Sequence, residues 1–182
     1  MSENQKLVRK QLVEDLNSKD EDTVLAAISR CKSLGDAEMI PQLLDIFIAA
    51  DSESPIATEM QEMLYTMKDK SVIDPLVEAL DEKRFIPHRA KIIPIFWNAG
   101  FEPKDHLSTF VRIALEGNFM EALECLTLIE NLEAPLPEEE LMDALIQLKD
   151  YFSDKNHEQQ DKFDLIRTIA TILKYTDDNQ II

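Results

Sequence analysis

The sequence predicts an all-α fold, a right-handed α-α superhelix (α-solenoid) of about five antiparallel helix pairs, and three observations carry that expectation. The first is an internal period. Ile73, Leu76, Val77 and Leu80 return as Leu107, Phe110, Val111 and Ala114, and again as Leu141, Ala144, Leu145 and Leu148, each step being 34 residues. A single hairpin cannot bury its own apolar stripe and must stack on a copy of itself, so a period of this length marks stacked helix pairs. The second observation is punctuation: the three glycines, Gly35, Gly100 and Gly117, each follow an apolar-periodic run, where a helix C-cap belongs. The third is that no short alternating run bounded by turn signals occurs, so no β-sheet is expected.

The elements follow in order as one domain over residues 1–182. The first pair is expected at 5–17 and 21–34, together 5–34, with Leu12, Val13 and Leu16 on its first helix and Val24, Ile28 and Cys31 on its second. The second pair, 37–67, comprises 37–50 and 55–67. Its Leu43, Leu44 and Phe47 lie 31 residues after the first set, and its Ile56, Met60 and Met63 lie 32 residues after the second-helix set. Ser54 before Pro55 is a cap followed by a first-turn proline, and Pro103 and Pro137 are read the same way. The third pair, 71–99, comprises 71–81 and 86–99, with Ser71 and Asp74 as a capping-box-like start. Pro94 falls inside its second helix and predicts a kink there. The fourth pair, 103–132, comprises 103–116 and 119–132, and its second helix opens on Asn118 and Glu121 at capping-box spacing. The fifth pair, 137–175, comprises 137–152 and 159–175. About seven extra residues near Ser153–Gln160 are needed to bring Ile166 and Ile169 into register with Leu126 and Ile129, and 176–182 is a tail.

Charge restricts the function classes. The chain has 182 residues, 36 acids and 19 Lys and Arg, a formal charge of -17. A surface so acidic opposes any role that begins by neutralising phosphates, so nucleic acid is not an expected partner. The balance over residues 1–35, 36–68, 69–100, 101–133 and 134–182 is 0, -6, 0, -5 and -6. Solubility explains this distribution, and an acidic docking face for a basic partner is the sharper alternative. Cys31 and Cys125 stand far apart with no C-x-x-C spacing, which reads as two buried thiols rather than a disulfide or zinc site. The opening Met-Ser-Glu-Asn-Gln-Lys has no apolar core of a signal segment, and no run approaches eighteen apolar residues, so a cytoplasmic protein without a membrane partner is expected.

No motif points to catalysis. His88, His106 and His157 are scattered without His-x-x-x-His or Glu-x-x-His spacing, and no phosphate loop or nucleophile elbow is present, so no metal or cofactor is expected. The Met60, Met63 and Met67 stripe reads as core filling, with an adaptable groove as the alternative. The most unusual stretch is Asp81–Trp97, which joins the densest basic cluster to the single tryptophan. Ala90, Ile93 and Phe96 belong to the core stripe, whereas Ile92 and Ile95 fall off it. If those two face outward, Arg84, His88, Arg89 and Lys91 frame an apolar patch with Ile92 and Ile95, the composition of an interface anchor. The alternatives are burial of this helix by its neighbours and pairing of the bases with Asp81 and Glu82.

Two segments carry a resemblance. Met39-Ile40-Pro41-Gln42-Leu43-Leu44 and Ile73-Asp74-Pro75-Leu76-Val77-Glu78-Ala79-Leu80 resemble the first helix of a HEAT-type repeat, with an early proline and apolar pairs. Arg89, eleven residues before Gly100, is similar to the second-helix arginine of that pattern. The resemblance covers nearly the whole chain. Only the second and third copies have the proline, and the closing glycine is missing from the second and fourth. The resemblance implies second helices lining a concave face that docks a protein or peptide, without catalysis. It also leaves open an enzyme or accessory subunit, since some HEAT-like proteins are repair glycosylases or chromophore-lyase subunits.

Overall fold

A computed structural model describes residues 3–34 and 37–180 of the chain. Every regular element among them is helical. The chain divides into two compact units, one ending at Ala99 and the next beginning at Gly100, between the third and fourth expected pairs.

In the first unit, α1 (Glu3–Leu16) packs on α2 (Glu21–Leu34), α3 (Ile40–Ala49) on α4 (Pro55–Tyr65), and α5 (Ile73–Leu80) is followed by α6 (Arg89–Ile92) and α7 (Pro94–Ala99). α3 lies against α5, α2 against α4, and α4 against α7, so first helices and second helices form separate layers. The periodic positions make the core: Leu12, Leu16, Val24, Ile28, Leu43, Leu44, Phe47, Met60, Met63, Leu76, Val77 and Leu80 are buried. Each such side chain contributes about 1.5–3 kcal/mol when fully removed from water. Cys31 is buried as well, and desolvation pushes its thiol up to about 11, an inert side chain in this setting.

The starts and stops have local causes. Ser54 accepts a hydrogen bond from the Ala57 amide at 3.1 Å with Pro55 in the first turn, as expected. Asp20 caps α2 through the Thr23 amide at 3.0 Å. The expected Ser71–Asp74 start is corrected: Asp69 accepts from the Ser71 amide at 2.9 Å and opens a 3-10 turn, Lys70–Val72, that leads into α5. Similar turns, Ala37–Met39 and Lys104–His106, lead into α3 and into the first helix of the second unit. Pro94 does interrupt its helix, for α6 stops at Ile92 and α7 starts at Pro94. Gly35, read as a cap, lies outside the described residues.

In the second unit, α8 (Leu107–Glu116) packs on both α9 (Phe119–Glu130) and α10 (Glu138–Ser153), and α11 (Phe163–Gln180) lies against α9 and α10. The tail expected from 176 is therefore helical to Gln180. Asn118 and Glu121 form a complete capping box at the start of α9. Pro103 and Pro137 occupy N-cap positions rather than first-turn positions. Among the described residues, only Gly100, at φ 74, takes the left-handed conformation that favours glycine. Gly117 is needed for space: a Cβ there would stand 2.7 Å from the Ile113 carbonyl oxygen and 2.8 Å from Glu121 Oε2.

The extra residues before α11 form a short 3-10 segment, Lys155–Gln159, held by side chains. His157 stacks on Tyr151 at 4.0 Å, and the Tyr151 hydroxyl donates to Gln160 at 3.0 Å. Lys162 then reaches back to the end of α8. It is 5% exposed, and its ammonium donates to the carbonyls of Ala114 (3.0 Å), Leu115 (2.6 Å) and Gly117. These are carbonyls a helix end leaves without intrahelical donors, at the negative end of its dipole. Desolvation lowers the Lys162 pKa, opposed by the nearby Glu121 and Asp161 carboxylates.

Candidate partner-binding surface

The stretch Asp81–Trp97 runs from the end of α5 through a one-turn 3-10 helix, Ile86–His88, into α6 and α7. The structure brings its bases together with helix ends of the first unit. Arg89 is 5% exposed. Its Nε donates to the Leu80 carbonyl at 2.7 Å and its Nη2 to Asp81 at 2.8 Å, which closes the C-terminus of α5. Lys91 donates to the Phe47 carbonyl in the last turn of α3 at 2.6 Å and lies 4.4 Å from the Phe47 ring centroid, so burial lowers its pKa. Arg84 pairs with Asp45 of α3 at 2.6 Å and with Glu82 at 2.9 Å while its guanidinium covers the Phe85 ring.

Ile92 and Ile95, expected to face outward, are fully buried. The reason is that Ile92, Ile93, Pro94, Ile95 and Phe96 are all buried together, so this segment is enclosed on several sides rather than along one stripe. The unbroken apolar run in the sequence is the signal for that enclosure. An apolar patch framed by bases does not form at these positions. Arg84 is exposed, His88 and Lys91 are half-buried, and the apolar residue accessible beside them is Ile86, 40% exposed and not singled out by the periodicity.

The second-helix layer of this unit is hollowed beside α4. One hollow of about 280 Å³ is bordered by Cys31, Lys32, Met63, Met67 and Lys68, and another of about 270 Å³ by Thr58, Gln61, Glu62 and Tyr65. Lys32 bridges α2 to α4 through Glu59 at 2.7 Å and Glu62 at 3.5 Å, and Glu59 raises the Lys32 pKa by accepting its hydrogen bond. Met60 and Met63 are core, while Met67 is half-buried at the rim of the larger hollow. Both hollows can take side chains of a polypeptide, and the lining of the first also includes Thr66, Asp69 and Val72.

The class these features define is an all-α protein whose chain divides into two compact helical units. No protein-family model matches the chain, and neither a characterised protein nor a solved structure matches it significantly. No helix among the described residues is long and apolar enough to cross a membrane.

Proposed function

We propose that this chain is a non-enzymatic, HEAT-like α-solenoid that holds a protein or peptide segment along its second helices. The observation that carries this reading is the recurrence of the opening turn: the 3-10 segments before α3, α5 and α8 begin at Ala37, Lys70 and Lys104, 33 and 34 residues apart. Layered pairs of this kind present an extended surface of second helices, the usual docking face of repeat scaffolds. In the first unit that surface carries the two hollows beside α4 and the exposed Glu62 and Gln61. The seven acids against one Lys over residues 36–68 favour a basic segment. The Arg84–Ile86–His88 corner is a secondary contact in this reading.

The test is site-specific photo-crosslinking. A crosslinker at position 62, on α4, is expected to capture a discrete polypeptide that one at position 78, on the exposed side of α5, does not. Equal capture at both positions, or none at position 62, overturns the reading.

A further inference from the structure

The helix α10 carries two apolar stripes, and the fold covers one of them. Leu141, Ala144, Leu148 and Tyr151 are its buried residues, and α10 packs on α8 and α11. Met142, Leu145, Ile146 and Phe152 follow at i, i+3, i+4 and i+10, on a face rotated by about a third of a turn. Met142 is 52% exposed, Ile146 50% and Phe152 36%, and Leu145 is half-buried. An exposed apolar stripe at helical spacing is the complement of another helix.

The charges beside this stripe select the occupant. Glu138, Glu139, Asp143 and Asp150 are exposed on α10, and Lys149 is its single cation. None of these four carboxylates forms an ion pair among the described residues, whereas Asp45, Glu59 and Glu62 of the first unit are paired with Arg84 or Lys32. The surrounding unit, residues 100–182, holds 18 acids against 7 Lys and Arg. An anionic lipid surface or a nucleic acid is repelled by such a rim. A second copy docked face to face would bring one acidic rim against another.

We infer that α10 docks a cationic amphipathic helix of a partner protein, its apolar face on Met142, Leu145 and Ile146 and its Lys or Arg side chains beside Glu139, Asp143 and Asp150. The inference rests on the reading of the chain as a binding scaffold and names a face and a partner chemistry for it. The apolar positions from 142 to 146 span about 6 Å of the helix axis; Lys149 stands on the same face between them and Phe152, whose ring packs edge-on against Phe163 at 5.6 Å.

The probe is a fluorescent Leu/Lys amphipathic helix of about 18 residues, five turns, titrated by anisotropy against the full chain. Its comparison is a peptide of the same composition with the helical periodicity scrambled. The periodic peptide is expected to bind, and Met142→Gln with Ile146→Gln to weaken it by about tenfold or more, with helicity unchanged because both side chains are exposed. Asp143→Asn with Asp150→Asn is expected to weaken it by about three- to tenfold and to flatten its salt dependence. Equal binding of the scrambled peptide, or an affinity untouched by the glutamine pair, overturns the inference. So does sedimentation showing a wild-type dimer that the glutamine pair dissociates, since a second copy then covers the stripe. Those results, with position-62 capture intact, overturn the α10 site alone; loss of that capture removes the scaffold reading itself.

Discussion

Both units bring cations to the C-terminal ends of their first helices, but they recruit them differently. In the first unit three bases within eight residues, Arg84, Arg89 and Lys91, serve α3 and α5, and Arg89 comes with a carboxylate, Asp81. In the second unit one lysine, Lys162, supplies the end of α8 from 45 to 48 residues away, and its hydrogen bonds go to carbonyl oxygens. The contrast teaches why the basic cluster at 84–91 is a poor guide to a binding site. Its charges are engaged by helix ends and by Asp45, Asp81 and Glu82, whereas on α10 Glu140 accepts from the Ser108 amide at 2.8 Å and Glu138, Glu139, Asp143 and Asp150 form no ion pair among the described residues.

The largest expected effect breaks this comparison at its most dependent point. Lys162→Met leaves the three carbonyls at the end of α8 without their donor and should cost about 2–4 kcal/mol of unfolding free energy, while Arg89→Met, whose partner Asp81 can return to water, should cost about 1–3 kcal/mol. Urea unfolding of the full chain monitored by circular dichroism ranks the two. An Arg89 variant more damaging than the Lys162 variant would show that the paired cation, not the lone one, holds its helix end.

Next comes the joint between α8 and α9. Gly117→Ala forces a Cβ against the Ile113 carbonyl and the Glu121 carboxylate, disturbing the capping box beside Lys162, and should cost about 1–3 kcal/mol. Gly100→Ala meets nothing within 4 Å, so its cost is the backbone strain of a positive φ alone, about 1 kcal/mol. The difference between the two midpoints in the same urea titration sharpens the distinction between a glycine kept for space and one kept for conformation.

The smallest effect concerns pH and the first unit. Asp20 and Asp69 have their pKa lowered by hydrogen bonds from Thr23 and Ser71, below the usual 3.8. A carboxyl whose folded pKa is depressed stabilises above its unfolded pKa, and that contribution disappears as pH falls through the folded value. Stability should therefore decline slightly below about pH 4, and Asp20→Asn with Asp69→Asn should reduce the slope, since asparagine caps without titrating. An unchanged slope between pH 4 and 2 would assign the acid sensitivity to other carboxylates.

Much of the fold was legible because its signals are local. The apolar recurrence marked core positions that the structure buries, with Val13, Ile56, Ile73, Ala90 and Leu145 only half-buried. Ser54 and the Asn118–Glu121 box announced helix starts through contacts three residues long. The proposed patch was less legible. Periodicity placed Ile92 and Ile95 off the stripe but could not show that neighbouring helices enclose that segment on several sides. The exposed stripe of α10 was written in Met142, Leu145 and Ile146, yet nothing local says which of two apolar faces the rest of the unit will cover.

By itself, the amino-acid sequence determined that the chain is helical, which side chains form most of its apolar stripes and how acidic it is, because each depends on neighbours within a turn or on composition. Only the tertiary structure decided which charges are internal and which apolar faces stay open. Lys91 meets Phe47 across 44 residues and Lys162 meets Ala114 across 48. A long flexible cation leaves no periodic trace of the carbonyl it will find, so such partners emerge only when packing brings distant helix ends together.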